Sequence, residues 1–107
     1  MKFYTDNIYE KLHVSLLSIV IQGFMKGDVV ALVSGNRVDY CCYWLGLSML
    51  GCTTALVNCH LRQAALLHTL TVARVRAVLY APDLAAAVAE ISPSLPSTTT
   101  IISLQVL

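Results

Sequence analysis

Gly27 to Arg62 reads GDVVALVSGNRVDYCCYWLGLSMLGCTTALVNCHLR. A short apolar run is followed by a Gly-Asn turn, an apolar segment of helical period and a second short apolar run. Neither run alternates between apolar and polar, so each predicts a strand covered on both faces, as in a parallel sheet. The stretch is therefore a β-α-β unit, and the chain is an α/β protein.

Outward from that unit the pattern continues. Asp28 to Ser34 and Cys52 to Val57 are the predicted strands, with a helix over Val38 to Leu50 between them. Gly51 stops that helix as a C-terminal glycine. Asn58 is placed to cap a helix over Leu61 to Ala73. Arg74-Val75-Arg76 leads to a third strand, Ala77 to Ala81. Pro82-Asp83 then opens an alanine-rich helix over Leu84 to Ile91, and Thr98 to Val106 is a β-branched fourth strand. Strand starts about 20 to 25 residues apart suit successive right-handed crossovers. Residues 1–25 are expected to form an N-terminal helical segment, with the helix over Asn7 to Gln22. Residues 26–107 are expected to form a partial α/β domain.

The chain has 107 residues, 57% of them hydrophobic and only 12% charged. Soluble domains carry about 25% charged residues, so this composition leaves apolar surface for a membrane, a partner or further protein to cover. The net charge is +1 with scattered lysines and arginines, which excludes a nucleic-acid track. Leu12 to Met25 is apolar but too short for a bilayer span, which needs about 20 apolar residues. Its polar face is not basic, which weakens an interfacial reading.

Few residues carry chemistry. The four cysteines, Cys41, Cys42, Cys52 and Cys59, form no disulfide framework and read as reduced core residues. A metal set of Cys52, Cys59, His60 and His68 matches no zinc spacing. Asp28 stands at the entry end of its strand, where a solvated turn residue is expected. At the exit end, Ser34-Gly35-Asn36-Arg37 precedes a helix and could hold an anion on backbone amides. A tight turn with an N-cap accounts for the same residues, since one glycine is far from a phosphate loop.

The helix over Val38 to Leu50 is apolar all round. Val38, Cys41, Cys42, Leu45 and Met49 share one face, which suits the sheet. Tyr40, Tyr43, Trp44, Leu47 and Leu50 form the opposite side. One sheet cannot cover both, so the second side predicts contact with more protein, an acyl chain or a membrane. Gly46 sits in mid-helix, where it costs about 1 kcal/mol against alanine; a close crossing there would explain it.

Lys26-Gly27-Asp28-Val29-Val30-Ala31-Leu32, Gly35-Asn36-Arg37, Trp44-Leu45-Gly46-Leu47-Ser48-Met49-Leu50-Gly51, Ala55-Leu56-Val57-Asn58, Leu61-Arg62, Leu66-Leu67-His68 and Ala81-Pro82-Asp83-Leu84 together resemble the fatty acid transport protein group. This group, also called very-long-chain acyl-CoA synthetases, belongs to the adenylate-forming superfamily. The resemblance covers Lys26 to Leu104. It implies an early piece of the large N-terminal domain of an acyl-CoA synthetase-like fold, carrying a partial parallel sheet. It also implies an enzyme using ATP, Mg and CoA to activate a fatty acid, associated with the endoplasmic reticulum, peroxisome or plasma membrane. The group's phosphate loop, aromatic-Gly-Glu adenosine motifs, ribose-binding Asp and catalytic Lys have no counterpart in this sequence. No catalytic, cofactor-binding or metal residue can therefore be carried over.

Three readings follow: a partial ligase inactive by itself, a non-catalytic piece self-associating or membrane-associated through Tyr40, Tyr43, Trp44 and Leu47, and a flavodoxin-like domain binding a nucleotide at Ser34 to Arg37.

Overall fold

Val29–Val33 carries no polar side chain, and as strand β1 it takes an interior position in the sheet, where both faces need apolar cover. The structure is a computed structural model of the chain and describes residues 2–35 and 38–104. Its elements are α1 (Lys2–Ile21), β1, α2 (Val38–Met49), β2 (Thr53–Val57), α3 (Gln63–Ala73), β3 (Ala77–Tyr80), α4 (Ala85–Ile91) and β4 (Thr100–Ser103). Short 3₁₀ turns, Pro82–Leu84 and Ser92–Ser94, flank α4.

All pairings are parallel, and the strand order is β2-β1-β3-β4. Val29 to Val33 run beside Thr53 to Val57, and Val30 to Val33 beside Ala77 to Tyr80. The path from β1 to β2 moves one way along the sheet and the path from β2 to β3 moves back. Crossovers of one hand then put their helices on opposite faces. The two cores show this. Val30 and Leu32 pack with Ile19, Phe24, Tyr43 and Leu47 under α1 and α2. Ala31 and Val33 pack with Leu66, Leu70, Ala87 and Ile91 under α3 and α4.

The face of α2 that meets the sheet is not the one its sequence suggests. Tyr43 and Leu47 are 3% and 0% exposed and sit in the core, while Leu45 and Met49 are 53% and 68% exposed. Cys42 points inward as expected, but Cys41 is exposed. The cause is α1, which lies beside α2 in the same layer. A Cβ at Gly46 would stand 2.9 Å from Ile19 Cδ1 and 3.4 Å from Leu16 Cδ2, so Gly46 must face α1. Fixing Gly46 fixes the rotation of the helix, and Tyr43 and Leu47 turn in with it. The mid-helix glycine thus has the close crossing it required.

Gly51 ends α2 with φ +79°, donating its N–H to Ser48 O (3.0 Å), while Cys52 N–H reaches Leu47 O (3.0 Å). That pair of bonds is the Schellman arrangement. α3 starts later than expected, at Gln63 with Arg62 in the cap position. Asn58 does not cap it: its Oδ1 accepts from His60 N–H (2.9 Å), building a turn before the helix. At the far end Arg74 takes the left-handed conformation, φ 52°, where glycine is usual. Arg62 forks onto Glu90 with Nε to Oε1 at 3.0 Å and Nη2 to Oε2 at 2.7 Å, tying the start of α3 to α4.

Asp28 is not a solvated turn residue. Its Oδ2 accepts from Met25 N–H (2.8 Å) and from Arg76 Nη1 (2.8 Å). Arg76 also lies 5.1 Å from the centroid of the Phe24 ring, and its backbone N–H donates to Val29 O at 2.7 Å. One guanidinium thus joins the α1–β1 turn to the entry ends of β1 and β3. The pair is half exposed, so it contributes at most about 1 kcal/mol as an ion pair, with a similar amount from the ring. Arg76→Ala is expected to destabilise the chain by about 1–2 kcal/mol, and Asp28→Asn by roughly half as much, read from urea midpoints. An unchanged midpoint for Arg76→Ala would show the clamp to be decoration.

Candidate ligand cleft at the strand ends

β1 and β2 finish side by side, Val33 against Val57, and the chain then diverges. Ser34-Gly35 leads toward α2, and Asn58-Cys59-His60 turns back toward α3. The divergence opens a cleft of about 530 Å³, lined by Ser34, Gly35, Tyr40, Leu56, Asn58, Cys59 and His60 together with Val57. Carboxyl ends of parallel strands are where ligands of open α/β sheets bind. The strand order reverses one position over, between β1 and β3. That gap is closed by Ala81 N–H donating to Val33 O at 2.9 Å. The cleft therefore sits one strand away from the reversal.

Among the described residues its polar groups are few. The Ser34 hydroxyl, almost buried, donates to Gly35 O at 3.1 Å. Asn58 Oδ1 is engaged by His60 N–H. Burial, then the neighbouring Cys41 and Cys59, push the Tyr40 phenol up, so it stays protonated at neutral pH and can donate. Among the described lining residues there is no Lys, Arg, Asp or Glu. None of the described lining residues is a carboxylate that could orient an imidazole as a general base, or a lysine or arginine that could neutralise a triphosphate. The cleft can hold a small neutral group against Tyr40 and Leu56, and the chemistry on display ends there.

Of the residues expected to matter, Ser34 and Gly35 reach the cleft, whereas Asn36 and Arg37 lie outside the described residues. Tyr40 lines the cleft, Tyr43 and Leu47 are core, and Trp44 is 44% exposed on the outer side of α2. The expected patch of Tyr40, Tyr43, Trp44 and Leu47 is thus not one surface, because seating Gly46 on α1 turns Tyr43 and Leu47 toward the sheet. The metal set is scattered. Cys52, whose thiol donates to Met25 O at 3.3 Å, is at the opposite end of β2 from Cys59, and His68 is on α3. Burial, then the Asp28 charge, raise the Cys52 thiol, while Arg76 draws it down. Among the described residues no three His, Cys, Asp or Glu could hold a metal ion together. The Asp28–Arg76–Phe24 cluster escaped the sequence reading, since Arg76 lies 48 positions from Asp28 and further still from Phe24.

The AMP-binding enzyme family matches residues 15–107. Long-chain fatty acid transport protein 6 of Mus musculus is 44% identical over 71 residues, which is 66% of this chain and 12% of that protein. Long-chain fatty acid transport protein 2 of Rattus norvegicus is 41% identical over 73 residues, 68% of this chain and 12% of its own length. The chain therefore spans about 12% of the length of these curated relatives. Among solved structures, the N-terminal domain of FACL13 from Mycobacterium tuberculosis superposes with a TM-score of 0.81 at 24% identity, covering 92% of this chain and 26% of that one. A long-chain-fatty-acid-CoA ligase (FadD1) from Archaeoglobus fulgidus gives 0.80 at 18% identity, covering 90% and 19%. At these identities the likeness establishes the fold, a four-stranded parallel sheet shared with N-terminal domains of acyl-CoA synthetases.

Proposed function

The chain belongs to the AMP-binding enzyme family, and from that premise we propose that it is the early α/β unit of a fatty acid–CoA ligase of the fatty acid transport protein group. The observation that carries the reading is the 44% identity to a long-chain fatty acid transport protein over 71 residues. A ligase of this kind joins a fatty acid to AMP and then to CoA, using ATP and Mg. The described residues do not fit those groups: the cleft offers no cation for phosphates and no carboxylate for Mg. This unit accordingly supports the enzyme's architecture and does none of the chemistry. By itself it forms no acyl-adenylate.

Association with a membrane of the endoplasmic reticulum, peroxisome or cell surface is part of the proposal. No described helix is long and apolar enough to cross a membrane. Such association would therefore run through a surface or through other parts of a longer protein.

A chimera tests the reading. Residues 26–104 of this chain replace the aligned stretch in the mouse transport protein 6, and oleoyl-CoA formation is measured against the parent. Retained synthesis with an unchanged KM for ATP is the expected result. A chimera that folds and binds ATP yet makes no oleoyl-CoA refutes the assignment. The 107-residue chain, given ATP, Mg, oleate and CoA, is expected to release no pyrophosphate, and any turnover would overturn its inactivity.

A further inference from the structure

We propose that the hollow between the end of α3 and the loop before β4 binds a small monocarboxylate with a short apolar body, its carboxylate held by Arg74. The hollow lies at the entry ends of β3 and β4, the opposite end of the sheet from the cleft beside Ser34. Nothing in it depends on the ligase reading. The cavity measures about 270 Å³. Its floor is apolar: Leu70 and Leu95, 1% and 9% exposed, belong to the core under α3 and α4, and Val75 packs against that core. Its rim of Thr71, Arg74, Pro96 and Thr98 is exposed and, apart from the proline, polar. A face awaiting further protein is apolar at its exposed positions, as Trp44, Leu45 and Met49 are on α2. An apolar hollow within a polar rim is instead the form of a small-ligand site.

The polar side chains of the lining are mostly uncommitted. The Thr71 hydroxyl is taken, donating to Leu67 O at 2.8 Å. Among the described residues Thr98, Thr99 and Arg74 make no side-chain hydrogen bond or ion pair. Arg62 and Arg76 each hold a carboxylate, Glu90 at 2.7 Å and Asp28 at 2.8 Å, whereas Arg74 holds none among the described residues. The described lining contains no acid. One guanidinium offers a planar fork that matches the two oxygens of a carboxylate, and the Thr98 and Thr99 hydroxyls can donate beside it. α3 ends at this hollow, so the negative end of its dipole opposes any second negative charge. A phosphate dianion would be under-neutralised there; a single carboxylate is balanced. Ligand pockets usually span about 300–1,000 Å³. A cavity just below that range takes one ring or a few carbons behind the carboxylate.

The probe is benzoate, titrated into the full chain and followed by amide NMR spectra and calorimetry. Saturable binding with a dissociation constant of about 1 mM or tighter is expected, with the largest shifts at Leu70, Val75, Leu95 and Thr98. Benzamide, which keeps the shape without the charge, and inorganic phosphate should each bind at least about tenfold more weakly. Arg74 closes α3 with φ 52°, a conformation that glycine takes without strain. Arg74→Gly should therefore fold with an unchanged or higher urea midpoint while losing affinity about tenfold or more. Arg74→Lys, with charge but no fork, should fall between the two. No saturable binding overturns the proposal, as do shifts centred on Ser34 and His60. So does benzamide or phosphate binding as tightly as benzoate, or an Arg74→Gly chain that keeps its affinity. N-acetylglutamate amide carries the carboxylate of an acidic side chain on a polar body. Binding as tight as that of benzoate would overturn the proposal in favour of an acidic segment of further protein.

Discussion

Leu47→Ala is expected to remove about 3–4 kcal/mol of stability, whereas Leu45→Ala should move it by less than about 0.5 kcal/mol. The two residues are two positions apart on one helix and chemically identical, so the comparison isolates which way α2 faces. Leu47 is 0% exposed and packs with Val30, Leu32, Ile19 and Tyr43. Its truncation leaves a hole walled by strands on one side and α1 on the other, neither free to collapse. Leu47 O also accepts the Cys52 N–H that closes the helix, so slack there loosens the entry to β2. Domains of this size are stable by only about 5–15 kcal/mol, and the loss should be evident as a much lower urea midpoint. Leu45 touches mainly water in the monomer, so the measurement belongs at concentrations below any self-association. If Leu45→Ala proves the costly change, α2 is rotated half a turn from the arrangement described.

That pair of residues also marks where sequence reading stops. The strands Val29–Val33 and Ala77–Tyr80 were legible because they are apolar without alternation, as a strand flanked on both faces requires, but Thr53–Val57, expected to be covered the same way, is an edge strand with Thr53 and Leu56 exposed. Gly51 was legible as a helix stop because its role is local. The orientation of α2 was not, because both its sides are apolar and periodicity has no preference between them. What decided it was a contact with α1, a segment separated in sequence by the whole of β1. Asp28 failed for the same reason in miniature, while Asn58 failed locally, to a turn two residues long. Each has a side chain suited to a local task, a cap or a solvated turn, and each was recruited elsewhere, Asn58 by His60 N–H and Asp28 by Arg76. The cleft at the strand ends was foreshadowed by Ser34-Gly35, but Tyr40 joined it only because the rotation of α2 brings that ring round.

Gly46→Val is expected to cost about 2–3 kcal/mol, and its neighbours explain why alanine should be nearly silent. In an exposed helix, Gly→Ala gains about 1 kcal/mol from backbone propensity. Here the new Cβ would lie 2.9 Å from Ile19 Cδ1, the end of a flexible side chain that can rotate aside. The gain and the displacement offset each other. Valine adds two further methyls at a position where Leu16 Cδ2 is already 3.4 Å from the Cβ, and its branched χ1 cannot swing them clear. The helices must then separate, opening the layer that covers Val30 and Leu32. A double-mutant cycle makes the cause specific. Ile19→Val deletes Cδ1, so in that background Gly46→Ala should recover most of the propensity gain and become stabilising by about 0.5–1 kcal/mol. Additive behaviour of the two changes, within about 0.3 kcal/mol, would mean that Ile19 does not rest on Gly46. The rotation of α2, the burial of Tyr43 and Leu47 and the outward stripe of Trp44, Leu45 and Met49 would then lose their common cause, since all of them descend from that one contact.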